Sequence, residues 1–291
     1  MNKNNLLIID GTYLAYRSYF ATSYASLSSN DNSTGAIVAF FSTFFKLIKN
    51  YNIENVFIAF DGKAKTFRHE IYQDYKAGRQ KMPSLFYEQL DTIRNILDAA
   101  KIYNTHFDGY EADDIIAKAC QTYNDENILI FSADQDLNQL VSSNIGIIKK
   151  IKGAEVIINE DNFNNYYEFK PCQVIDFKAM TGDSSDNFKG IKGIGPKTAV
   201  SLLNTYSNLE NIYANIDQIK PAWANKLIEH KDNALFDKNL ATLRYDFDLE
   251  MPLLDDIALN KIEFNQELQE ILTKFDLNQI YKNFKKIALI S

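Results

Sequence analysis

Leu6-Leu7-Ile8-Ile9-Asp10-Gly11 is a continuous apolar run closed by an acid and a glycine. Two further apolar runs also end at an acid. Val56-Phe57-Ile58-Ala59-Phe60 runs into Asp61-Gly62, and Ile128-Leu129-Ile130-Phe131 into Ser132-Ala133-Asp134. Short apolar runs without polar alternation predict strands buried on both faces, and hence a parallel sheet. Helical stripes lie between them. Thr34 to Lys49 carries Ile37, Phe40, Phe41, Phe44 and Ile48; Ser84 to Ala100 carries Phe86, Leu90, Ile93 and Leu97; Glu111 to Tyr123 is a third. Apolar residues three and four apart form one helix face, and Pro83 suits a helix start. Strands alternating with helices predict an α/β domain.

Past residue 170 the pattern changes. Pro171 opens a helical stretch to Met180, a glycine-rich segment covers Gly190 to Pro196, and helical pattern dominates Pro196–Tyr206 and Gln266–Phe284. The expected division is an α/β domain over 1–170 and a smaller helical domain over 171–291.

Composition bounds the function. The chain has 291 residues, 46% hydrophobic and 24% charged, which excludes disordered and collagenous classes. No apolar run reaches the roughly 18 residues of a membrane helix, and the polar start Met1–Asn5 is not a secretory signal. Cys120 and Cys172 are far apart, and His69, His106 and His230 are scattered. Neither a disulfide framework nor a zinc site is suggested. The default is a reduced cytoplasmic protein with no membrane association.

Acids carry the chemistry. Asp10, Asp61 and Asp134 each follow a predicted strand, and ligands of open parallel sheets bind beyond the strands' carboxyl ends. A single Asp-Gly is ordinary turn chemistry. Three such acids at one sheet edge repel unless a cation or protons neutralise them. Glu111, Asp113 and Asp114 open a helix, where acids also complement the helix dipole. Asp136 follows Asp134, and Asp183 and Asp186 sit three apart. Oxygen donors without His or Cys suit Mg²⁺ or Mn²⁺. Two such ions about 4 Å apart stabilise the attacking and leaving oxygens of phosphodiester hydrolysis. The start is also similar to that of haloacid-dehalogenase-type phosphatases, but Ile8 stands where their nucleophilic Asp would be.

The formal net charge of −7 argues against nucleic acid. Setting aside these nine acids leaves a slight excess of base. The bases also bunch: Lys63, Lys65, Arg68, Lys76, Arg79 and Lys81 form one group, and Lys189, Lys192 and Lys197 another. Around the second group, Gly193 and Gly195 permit a tight hairpin, and Pro196 starts a helix whose N-terminus favours a phosphate. Such a hairpin grips backbone without reading bases.

These residues fall in ordered blocks: Ile9-Asp10-Gly11, Ala59-Phe60-Asp61, Phe67-Arg68-His69-Glu70, Tyr75-Lys76-Ala77-Gly78-Arg79, Gly109 to Asp114, Ser132 to Asp136, Thr181 to Asn187, and Gly190 to Ala199. In them the chain resembles the 5′-nuclease domain of bacterial DNA polymerase I and, more widely, the flap-endonuclease family. The resemblance implies a PIN-like parallel-sheet nuclease domain with a helical arch near 62–83. An all-α helix-three-turn-helix DNA-binding domain, of helix-hairpin-helix type, would follow it. It implies two divalent ions, Mg²⁺ or Mn²⁺, held by Asp10, Asp61, Glu111, Asp113, Asp114, Asp134, Asp136, Asp183 and Asp186. Lys76 and Arg79 would stabilise the scissile phosphate, with Arg68 holding the phosphate or the arch. Tyr75 would stack near an unpaired terminal nucleotide, or simply pack. Lys192, Gly193, Gly195, Lys197 and Thr198 would hold duplex DNA, with K⁺ as a further ion in that hairpin.

The implied activity is 5′→3′ exonuclease and 5′-flap cleavage on DNA, including RNA primers, in replication and repair. The chain would be a free-standing monomeric nuclease, with a replicative polymerase as a separate partner. The competing readings are a catalytically inactive binder of branched DNA with the same fold and a PIN-type ribonuclease.

Overall fold

A computed structural model describes residues 5–22, 28–29 and 32–289; the polar start Met1–Asn4 lies outside them. Strand β1 (Asn5–Asp10) leads into helix α1 (Gly11–Thr22). Two-residue strands β2 (Ser28–Ser29) and β3 (Asn32–Ser33) pair before α2 (Gly35–Tyr51). Then come β4 (Asn55–Ala59), α3 (Phe67–Ile71), α4 (Ser84–Ala99), β5 (Asn104–Thr105), α5 (Ala112–Thr122) and β6 (Asn127–Phe131). A hairpin of β7 (Ile145–Ile151) and β8 (Ala154–Ile158) completes the sheet. Its order is β5-β4-β1-β6-β7-β8, parallel throughout except for the antiparallel β8 at one edge.

The three runs predicted as strands are adjacent at the centre of this sheet. Side chains alternate across a strand, so β1 feeds two cores. Leu7 and Ile9 face one with α2 and α4, while Leu6 and Ile8 face the other with α5. All four are fully buried, as a run without alternation requires.

The helical part comprises α6 (Val174–Thr181), α7 (Pro196–Tyr206), α8 (Leu209–Ala214), α9 (Pro221–Glu229) and α10 (Lys231–Ala241) around a core of its own. The last two helices depart from the expected division. Helices α11 (Gln266–Lys274) and α12 (Asn278–Ile287) return to the α/β core. There Phe284 meets Phe41, Phe44 and Phe45 with ring centroids 5.0–6.4 Å apart. The cause is an apolar stripe on α2 wider than α4 alone covers.

The segment read as a helical arch is helical only over Phe67–Ile71; turns follow, with Lys76 at φ +55°. It is docked on the loop after α6. The Tyr72 hydroxyl donates to the Asn187 carbonyl at 3.1 Å, and the Asn187 amide to the Asp74 carbonyl at 3.0 Å. Among the described residues no helix is long and apolar enough to cross a membrane.

Candidate active site

Three parallel strands deliver their acids to one edge of the sheet. Asp10 is the last residue of β1, and α1 begins at the next. A side chain on Gly11 would meet the Phe60 ring at 2.5 Å, so only glycine lets the chain turn there. Asp10 is pinned by two donors, the Tyr13 amide at 2.8 Å and the Ser132 hydroxyl at 2.9 Å. Past β4, the Asp61 amide donates to the Thr12 hydroxyl, and the Asp61 carboxylate accepts from the Ala112 amide at 2.9 Å, at the start of α5. Past β6, the Asp134 amide donates to Ser132 Oγ, and its carboxylate accepts from the Asp136 amide at 2.8 Å.

Asp10, Asp61, Glu111, Asp113 and Asp134 line one cavity of about 770 Å³, with Lys76 on its rim. Arg79 lines it too. The electrostatics are those of a charge-deficient site. Burial, then Asp61, pushes the Asp10 carboxyl up to about 7. Burial, then Asp134 and Asp10, holds Asp113 well above the carboxylate range, and burial raises Asp61. Glu111 goes the other way. Burial would raise it, but Lys76 at 2.6 Å and Arg68 outweigh that and hold it low.

The other four acids are elsewhere. Asp136, Asp183 and Asp186 surround the Lys178 ammonium at 2.6, 2.9 and 3.0 Å. Burial works against that ammonium, yet Asp136 and Asp186 hold its pKa above the usual lysine value. This second cluster adjoins the first through the Asp134–Asp136 hydrogen bond and through Arg79, 3.2 Å from Asp186. Asp114 is fully buried and belongs to neither cluster. Arg68 donates to both of its oxygens, at 2.5 and 2.8 Å, and the Arg244 amide donates at 2.8 Å.

Arg68 itself is 2% exposed and also donates to the Leu240 carbonyl, so it ties α3 to α5 and the end of α10 rather than reaching the cavity. Tyr75 is 3% exposed, with its hydroxyl on Glu111 at 2.9 Å and its ring stacked on Phe188 at 5.9 Å. In this arrangement it packs, the second of the two roles open to it. Lys192, Gly193, Gly195 and Lys197 are exposed and Thr198 half-buried, at the start of α7, and none lines the acid cavity. The Gly193 carbonyl accepts from Lys226 at 3.1 Å.

Sequence reasoning missed Lys178 and Lys149. Neither stands in a motif or period that marks a buried lysine. Ser132, the residue that orients Asp10, stands in the Ser132 to Asp136 segment, where nothing local marks that role.

The donor set suits hard divalent cations: carboxylate oxygens, unbalanced charge, no His or Cys. Among the described residues no three His, Cys, Asp or Glu side chains converge closely enough to hold a metal ion as they stand. The five acids ring the cavity, the Lys76 ammonium stands on Glu111 at its edge, and Lys178 holds the neighbouring cluster.

An acid-ringed cavity beyond a parallel sheet, with a helical unit beside it, defines the class of carboxylate-dependent nucleases. The family described as 5′-3′ exonuclease, N-terminal resolvase-like domain, matches residues 5–168, and its C-terminal SAM-fold counterpart matches 169–265. The chain belongs to the 5′-3′ exonuclease family. It is 41% identical over 284 residues to a 5′-3′ exonuclease of Mycoplasmopsis pulmonis, covering 96% of this chain and 93% of that protein. It is 37% identical to a DNA polymerase I of Caldicellulosiruptor bescii, covering 95% of this chain but 33% of the polymerase. The fold is that of T5 5′-exonuclease solved with zinc, at TM-score 0.70, 21% identity and 99% coverage of each chain.

Proposed function

We propose that the chain hydrolyses phosphodiesters at 5′ ends and 5′ flaps of DNA, RNA primers included, using Mg²⁺ or Mn²⁺ at the acid cavity. One observation carries this reading: five carboxylates from four separate stretches ring a single cavity, and burial with mutual repulsion presses two of them toward protonation. Divalent cations there would neutralise the acids, activate a water and stabilise the leaving oxygen. Asp10, Asp61, Glu111, Asp113 and Asp134 would hold them. Asp136, Asp183 and Asp186 with Lys178 would brace Asp134 from the side.

Lys76 and Arg79 supply positive charge where a phosphate would gain it. To reach a phosphate, Lys76 must leave Glu111. A K⁺ ion at the hairpin would share the Gly193 carbonyl with Lys226. The helical unit presents Lys192 and Lys197 to duplex backbone, independent of sequence. We further propose a cytoplasmic monomer that works with a replicative polymerase.

A labelled 5′-flap duplex, a branched duplex without a free 5′ end and single-stranded RNA, each with Mg²⁺ or chelator, test the reading. Mg²⁺-dependent cleavage of the flap is expected. Binding without cleavage would favour the inactive branched-DNA binder, and preference for the RNA a PIN-type ribonuclease. Replacing both Lys192 and Lys197 with Ala should weaken duplex binding and make its salt dependence shallower by about 2 in log–log slope. An unchanged slope would remove the hairpin from the interface.

A further inference from the structure

Lys149 lies within β7 and is 7% exposed, following the buried Ile147 and Ile148. Its Nζ donates to the backbone carbonyl of Asp134 at 3.0 Å. Among the described residues no carboxylate oxygen forms an ion pair with it. A buried ammonium held by one carbonyl is costly, so something must offset the cost. Burial pulls its pKa down to about 8, and Asp134, Asp136 and Asp113 oppose that pull and favour the ammonium.

The placement is specific. Ser132 and Ala133 line the acid cavity on one side and, on the other, a separate cavity of about 240 Å³ lined by Lys149, Arg17 and Tyr167. The turn that carries Asp134 is therefore a thin wall, with acids in front and an ammonium behind. The Asp134 side chain faces the acids while its backbone oxygen is held from the rear.

We propose that Lys149 is a positioning residue for Asp134, whose ammonium pins the turn from behind and offsets part of the repulsion among Asp113, Asp134 and Asp136. This rests on the metal-dependent reading of the cavity. Without a divalent cation this ammonium, with that of Lys76, is among the positive charges that favour the ionised acids; with one bound, its share falls. Its removal should therefore hurt the metal-free protein most.

The experiment compares wild type, Lys149→Met and Lys149→Arg by thermal midpoint across a Mg²⁺ titration, and by flap cleavage. Lys149→Met should melt lower without Mg²⁺, and the gap should narrow as Mg²⁺ saturates. Its kcat should fall by about ten-fold or more, with KM for the flap little changed. Lys149→Arg should recover part of both. A deficit that stays constant at every Mg²⁺ concentration, or an unchanged kcat, would overturn the proposal. Should Lys149→Met fail to fold, Lys149→Gln, which keeps a donor without the charge, carries the same comparison. A wild type that shows no response to Mg²⁺ would end the metal-dependent reading itself, and this inference with it.

Discussion

Asp134→Asn should abolish cleavage while leaving flap binding nearly intact. The substitution is close to isosteric, and the amide oxygen can still accept the Asp136 amide that the carboxylate accepts now. What disappears is one negative charge from a cavity whose other acids already repel it. With a ligand group lost, kcat should fall on the order of 10³-fold, the scale of losing one preorganised charge-stabilising group. Stability should move the other way. Asp134 raises the carboxyls of Asp10 and Asp113, so its neutralisation relieves repulsion and the metal-free midpoint should hold or rise. An active Asp134→Asn would show that the site is misplaced. An inactive variant that melts far below wild type would show that the carboxylate serves the fold instead.

Arg68→Met should produce the largest loss of stability. The guanidinium is buried, and its removal leaves the fully buried Asp114 carboxylate with only backbone amides, those of Glu111 and Arg244. Breaking one side of a buried pair costs about 3–5 kcal/mol, against a total of roughly 5–15 kcal/mol for a folded protein. The melting temperature should drop by about ten degrees. Arg68 also joins three elements, since it donates to the Leu240 and Thr242 carbonyls. The arch should therefore loosen from α10, and activity should fall with stability. Neutralising the partner in Arg68→Met/Asp114→Leu should restore part of the lost stability, since an apolar pair leaves no stranded charge. A single variant that melts like wild type would show that the pair does not hold these elements together.

How much of this was legible in the sequence depends on the range of the interaction. Leu6 to Ile9, Val56 to Phe60 and Ile128 to Phe131 could be read as central strands because burial on both faces removes polar alternation locally. β7 was harder to see, because Lys149 and Lys150 interrupt its apolar run. The strand-end acids were legible because chain geometry alone sends Asp10, Asp61 and Asp134 to one sheet edge. Glu111 and Asp114 read alike as acids that open a helix. Yet Glu111 lines the cavity while Asp114 points into the protein, where Arg68 meets it. That choice depends on a partner 46 residues away, which no local pattern encodes. The same holds for Lys178, which gathers Asp136, Asp183 and Asp186. The return of α12 onto α2 likewise depends on a long-range match of apolar faces.

The most direct measurement is the anomalous signal of Mn²⁺ in crystals of the protein with a 5′-flap duplex. The expected result is manganese among Asp10, Asp113 and Asp134, with the scissile phosphate against it and Lys76 released from Glu111. Manganese bound only at other surfaces, with those carboxylates still facing one another across an ion-free cavity, would contradict it.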